Sequence, residues 1–272
     1  MAAMRPGLMG AAHFLLVAGV YALSCAFVPH ALANRLVSSA NATLIFLLAV
    51  AALAGASDVS DAPPIAPLPA AAMECMCAFL AFDVLLGMAR GFESSPALML
   101  VHHTLGLASE LTSLWFGLGS SCAMVVHLAE CSTPLLHLSW LMLKRGCGRT
   151  RAFFATGATL VLAFLLGRVL LPAALLARMA RPRVRAHWGD HDGVYRFHVA
   201  VVLTFWLINC YWFAKLLRAT RSAGAPAGPT SKESGSGRDA WTPTDRPETA
   251  KHAAATSGVG WDRRRRHLTV QS

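Results

Sequence analysis

Seven stretches of the chain are apolar almost throughout, at about 8–29, 36–56, 69–89, 96–118, 121–143, 152–176 and 194–217. A helix rises about 1.5 Å per residue, so about 20 apolar residues cross a ~30 Å hydrocarbon core. The apolar positions go round each segment instead of forming one stripe, which is the pattern of helices surrounded by lipid. The chain is therefore expected to be all-α, a polytopic membrane protein of about seven transmembrane helices packed as a bundle.

The interruptions between these runs are as informative as the runs. Ser57-Asp58-Val59-Ser60-Asp61-Ala62-Pro63-Pro64-Ile65-Ala66-Pro67-Leu68-Pro69 reads as a short loop, because its prolines lack amide donors. Only Gly117-Leu118-Gly119-Ser120-Ser121 separates the fourth and fifth spans, predicting a tight helical hairpin. Pro172 is expected to kink or end the sixth, leaving Ala173–Ala180 as an interfacial continuation. Arg5, the first apolar run and Ala31-Leu32-Ala33 imitate a secretory signal, but Leu8–Val28 exceeds a typical h-region and reads as a retained helix. From about Ser222 onward Gly, Ser, Pro, Ala and charge predict a disordered tail, with Arg263–Arg266 as a solvated run.

Composition agrees with the pattern. Hydrophobic residues make up 55% and charged residues 14%, against about 25% charged in ordinary soluble domains, and the mean hydropathy is +0.49. A net charge of +10 raises the question of nucleic acid, yet the basic residues sit at span ends and in the tail, with no basic face on a folded domain, so no nucleic-acid partner is expected. Lys144, Arg145, Arg149, Arg151, Lys215, Arg218 and Arg221, with Arg35 and Arg90, outnumber Arg5, Arg178, Arg181, Arg183, Arg185 and Arg196 on the opposite side, predicting a cytoplasmic C-terminus. The seven cysteines read as free thiols. Cys75-Met76-Cys77 lacks the spacer of a zinc or redox motif, and no metal or cofactor is expected.

Ionisable residues inside the spans define the candidate chemistry, since a charge at mid-membrane costs about 3 kcal/mol on insertion scales and is retained where it serves a site. His102 and His103 point about 100° apart on one helix. His103, Leu107, Glu110 and Leu114 share a stripe, which would allow a His103–Glu110 contact. His127, Glu130, Pro134 and His137 are expected on one face of the next span, bent by Pro134. Glu74 and Asp83 lie in the third span, Arg168 in the sixth and Asn209 in the seventh; Asp83 is expected either to orient a histidine or to pair with Arg168. Imidazole beside a carboxylate suits a general base; the alternative is a structural polar network, the reading given to the isolated His13, His30 and His137. A di-metal lipid hydroxylase would need more histidine clusters than the chain carries. Asn41-Ala42-Thr43 matches the glycosylation acceptor pattern but starts a span on the expected cytoplasmic side.

Residues from about Asn34 to Leu217 resemble the TLC domain, shared by translocon-associated membrane proteins, ceramide synthases, the ceroid-lipofuscinosis protein and a group of TLC-domain-containing proteins of lipid homeostasis. The matching pieces, in order, are Arg35-Leu36-Val37-Ser38, Asp83, Val101-His102-His103, Glu130-Cys131-Ser132-Thr133-Pro134, Arg168 and Ile208-Asn209-Cys210-Tyr211-Trp212-Phe213-Ala214-Lys215. The resemblance divides the chain into an N-terminal transmembrane helix (1–33), the TLC domain (34–220) and the tail (221–272).

The resemblance implies a helical bundle around a lipid-accessible cavity in the endoplasmic reticulum. Ceramide synthases use a His pair to transfer an acyl group from acyl-CoA to a sphingoid base, a catalytic role that maps to His102 and His103. Their second motif is His-Asp-x-Ser-Asp, whereas this chain has Ala129-Glu130-Cys131-Ser132-Thr133, closer to the Glu-x-Ser-Thr-Pro of the lipid-homeostasis group. Asn41 also replaces the histidine often found there. The implied function is lipid binding or sensing through Asp83, His102, His103, Glu130, Ser132, Arg168 and Asn209, with membrane lipids as partners; the alternative is a ceramide synthase-like N-acyltransferase acting on acyl-CoA and a sphingoid base. A cargo-receptor role draws no support from Leu268–Ser272, which carry no di-lysine retrieval signal.

Overall fold

The structure, a computed structural model, describes residues 7–55, 64–92 and 95–224, with side chains to 220. The tail beyond 224, with its arginine run, and most of the proline loop lie outside the described residues. Helices α1 (Leu8–Cys25), α2 (His30–Ala54), α3 (Pro67–Arg90) and α4 (Pro96–Phe116) are followed by α5 (Ser120–His127) and α6 (Ser132–Lys144). Next come α7 (Arg151–Phe164), α8 (Leu171–Met179), the short α9 (Pro182–Ala186) and α10 (Asp192–Gly224). Each of the seven apolar stretches is helical over most of its described residues, and no strand occurs among the described residues.

Among the described residues five segments are long and apolar enough to cross a membrane: α1, α2, α3, the joined α7–α8 and α10. The fourth and fifth stretches do not meet that measure. His102, His103, Ser109, Glu110 and Ser113 lower the hydropathy of α4, and the fifth stretch is broken into α5 and α6. These two elements carry most of the candidate chemistry.

The hairpin between them forms as expected. Gly117 and Gly119 take φ of 69° and 77°, a left-handed conformation open to glycine, and let α5 begin at Ser120. A β-carbon on Gly119 would stand 2.8 Å from the Trp188 ring. Two other departures from regular helix were not foreseen in form. Pro134 lies in the first turn of α6, where a missing amide donor costs little; the chain reaches it through a 3-10 turn at Leu128–Cys131. Ahead of Pro172 the helix widens into a π turn at Leu165–Leu170. Beyond it, α8 continues the span instead of leaving it, and buries Leu175 and Met179 against Trp188.

α3 is the central helix. In its most apolar window 61% of residues are buried, against 11% in α1, and it packs on α1, α2 and α4. Val17, Tyr21, Val37, Ile45, Phe79 and Phe82 form one core cluster there. The outer faces carry exposed Leu15, Leu16, Trp115, Leu162 and Leu207, as expected where lipid is the solvent. Glu74 on α3 accepts the Gly7 and Gly10 amides at 3.1 Å each, supplying the start of α1 with the acceptor its unpaired donors require.

Candidate functional site

Asp83 near the end of α3 and His103 near the start of α4 meet across the turn joining those helices. His103 Nδ1 lies 2.6 Å from Asp83 Oδ2, with both side chains largely enclosed. The Phe92 ring closes over His103 with centroids 6.2 Å apart. Gly87 allows this, since a β-carbon there would fall 2.2 Å from Phe92.

His102 turns to α10. Its ring lies 4.6 Å from Phe205 and 5.4 Å from Trp212 between centroids, and its buried Nδ1 has no hydrogen-bond partner. Asn209, four residues after Phe205 and three before Trp212, shares their face of α10 by helical spacing. It is buried with Oδ1 unpartnered. The two histidines therefore divide as their 100° separation requires, one toward a carboxylate and one toward an aromatic wall.

A second polar group sits where the two irregular turns meet. Arg168, in the π turn, donates from Nε to Ser132 Oγ at 2.7 Å and from Nη2 to Thr133 Oγ1 at 2.7 Å. The same Nη2 lies 3.4 Å from both carboxylate oxygens of Glu130, and Thr133 donates to Glu130 Oε2 at 2.8 Å. Gly167 permits the approach: a β-carbon there would stand 3.3 Å from Ala129 Cα. A π turn is a common device at functional sites because it re-aims a side chain; here it delivers a cation to Glu130-Cys131-Ser132-Thr133.

The structure overturns two expected arrangements and selects between the alternatives of a third. His103 meets Asp83, not Glu110; Glu110 Oε1 is 2.9 Å from His127 Nε2. Of the two roles expected for Asp83, orienting a histidine or pairing with Arg168, the structure has the first, against His103. The His127–Glu130–Pro134–His137 face does not persist, because the 3-10 turn shifts the helical phase: His127 meets α4, Glu130 meets the π turn, and His137 Nδ1 lies 2.8 Å from Ser39 Oγ on α2. The isolated histidines tie helices together, with His13 Nε2 2.9 Å from Asn41 Oδ1 and Tyr21 hydrogen-bonded to His30. All seven cysteines are free, and no group of three metal-ligating side chains occurs among the described residues.

Comparison with known families decides the identity of the fold. The model of the TLC domain matches residues 31–218. The chain belongs to the TLC family. No curated protein and no solved structure matches it. Within this TLC domain the residues quoted from the sequence fall into two contact groups, Asp83–His103 with His102 and Asn209, and Arg168 with Glu130, Ser132 and Thr133.

Sequence reasoning missed Ser113 and His198, which meet at 2.8 Å in the bundle interior. The signal was present: His198, Phe205, Asn209 and Trp212 follow one helical face, so a histidine seven residues before Phe205 pointed inward with the rest. Ser113, His198 and Phe205, together with Glu110, line a cavity of about 30 Å³. That volume accepts a water or one small polar group, not an acyl chain.

Proposed function

We infer that this TLC-family membrane protein acts in lipid homeostasis, resident in the endoplasmic reticulum, by binding or sensing a lipid at the Asp83–His103–His102–Asn209 group. The carrying observation is that His102 Nδ1 and Asn209 Oδ1 are both buried without partners, on helices in contact through Phe205 and Trp212. An unpaired buried polar atom costs roughly 1–3 kcal/mol, and a lipid headgroup offering a donor and an acceptor would remove that cost. The Arg168–Glu130–Ser132–Thr133 network holds the neighbouring turns in register.

The test is mass spectrometry of lipid retained by protein purified in mild detergent. Wild type is expected to carry a defined lipid species, depleted in the His102→Ala/Asn209→Ala variant. A wild type that carries only the bulk lipid profile overturns the reading.

One observation favours acyl transfer as a second reading. Asp83 stands against His103 as an orienting carboxylate stands against a general base. In that chemistry the imidazole takes the proton of a sphingoid amine as its nitrogen attacks the thioester carbonyl of acyl-CoA, and the CoA thiolate leaves. Microsomes bearing the protein should then form ceramide, and His103→Ala should abolish it. Ceramide formation unchanged in both His102→Ala and His103→Ala refutes this mechanism.

A further inference from the structure

We propose that Ser113 and His198 form a separate acyl-transfer site, with Ser113 as nucleophile and His198 as its base, acting on a fatty acyl ester or thioester. Three independent features converge on Ser113. His198 Nδ1 lies 2.8 Å from the Val194 carbonyl oxygen, and a carbonyl only accepts, so the neutral ring carries its proton on Nδ1. Nε2 is then an acceptor, and the Ser113 hydroxyl 2.8 Å away donates to it. This is the arrangement that activates a serine: nucleophile bonded to base, base held in one tautomer by a third group.

The second feature is the position of α5. Ser113 Oγ lies 3.4 Å from the point a β-carbon on its N-cap residue, Gly119, would occupy. The positive end of the α5 dipole therefore stands beside the carbonyl that Ser113 Oγ would attack, whose oxygen gains negative charge in the tetrahedral intermediate. The third is space. The cavity of about 30 Å³ opens against Ser113 and His198, with Ser109, Glu110 and Cys122 on its wall. It holds a carbonyl group but not the chain attached to it. Lipid-facing Leu111 and Trp115 on α4 and Leu203 and Leu207 on α10 flank the two helices between which an acyl chain would lie.

In the reaction Ser113 Oγ bonds to the carbonyl carbon and its proton moves to His198 Nε2. The carbon–oxygen or carbon–sulfur bond to the leaving group breaks, and the alcohol or thiol departs with that proton. Water then attacks the acyl-serine, releasing a carboxylic acid and restoring the hydroxyl. Glu110, whose Oε2 is buried without a partner, lines the cavity as an acceptor for that water.

The experiment uses the full chain in lipid nanodiscs with a long-chain alkyl fluorophosphonate, which forms an O–P bond to an activated serine with loss of fluoride. Peptide mapping is expected to place the label on Ser113 in folded protein and not in heat-denatured protein. Ser113→Ala should remove it, and His198→Gln should slow labelling by about a hundredfold, within the usual range for loss of a general base. Folded wild type that stays unlabelled, or labels elsewhere, overturns the proposal, as does labelling in His198→Gln at the wild-type rate. Because none of these residues belongs to the Asp83–His103–His102–Asn209 group, lipid retention at that group stands or falls separately.

Discussion

Arg168 satisfies three side chains of the second motif at once, so its removal leaves part-buried Glu130 with the Thr133 hydroxyl alone and Ser132 without its donor. A lost hydrogen bond to a charged group typically costs about 1.5–3 kcal/mol, and Arg168→Ala is expected to lower stability by about that much in thermal unfolding of the detergent-solubilised protein. Arg168→Lys keeps the charge but not the two-pronged donor geometry, and should fall between wild type and alanine. Equal stability of all three would show that the network is not structural. For Asp83 and His103 the expected quantity is a coupling: single and double alanine variants should be non-additive by about 0.5–3 kcal/mol, as for residues in direct contact. At this scale the sequence made the polar residues legible but not all of their partners. Helical spacing allowed His103 to meet either Glu110 or a residue of another helix, and only the register of α3 against α4 selects Asp83. Ser113–His198 depends likewise on the packing of α4 against α10.

The helices themselves were readable because lipid-facing segments must satisfy every backbone group internally and remain apolar over their length. The hairpin was readable from its glycines. Gly119→Ala tests that turn: at φ 77°, with Trp188 at 2.8 Å from the added carbon, the variant should lose about 1–2 kcal/mol from left-handed strain alone, measured against a Gly157→Ala control that meets nothing within 4 Å. A variant as stable as wild type would mean the hairpin relaxes freely. The 3-10 and π turns were not readable in form. Pro134 and Pro172 announce an interruption, but which hydrogen-bond pattern absorbs it depends on tertiary packing, such as the close approach of Gly167 to Ala129. The 3-10 turn at Leu128–Cys131 divides the expected polar face of the fifth span into three separate pairings.

Across the whole molecule, Arg35 on α2 and Lys144 at the end of α6 gather round one aromatic ring. Arg35 lies 4.1 Å and Lys144 5.7 Å from the Trp140 ring, as aromatic and basic side chains gather at an interface. If the charge bias sets the cytoplasmic side there, Cys147, in the turn after α6, reacts with a membrane-impermeant maleimide in sealed microsomes; protection until detergent is added reverses the orientation. Asn41 is buried and bonded to His13, so the Asn41-Ala42-Thr43 acceptor stays unmodified, and a glycosidase-sensitive mass shift lost in Asn41→Gln would contradict the α1–α2 packing. We propose that this TLC domain governs lipid composition through its interior polar group. The most direct measurement is the lipidome of cells lacking the protein, re-expressing wild type, or re-expressing the His102→Ala/His103→Ala variant at equal abundance. A lipid shift on loss that wild type reverses and the double variant does not is the expected result; an unchanged lipidome, or full rescue by the double variant, contradicts it.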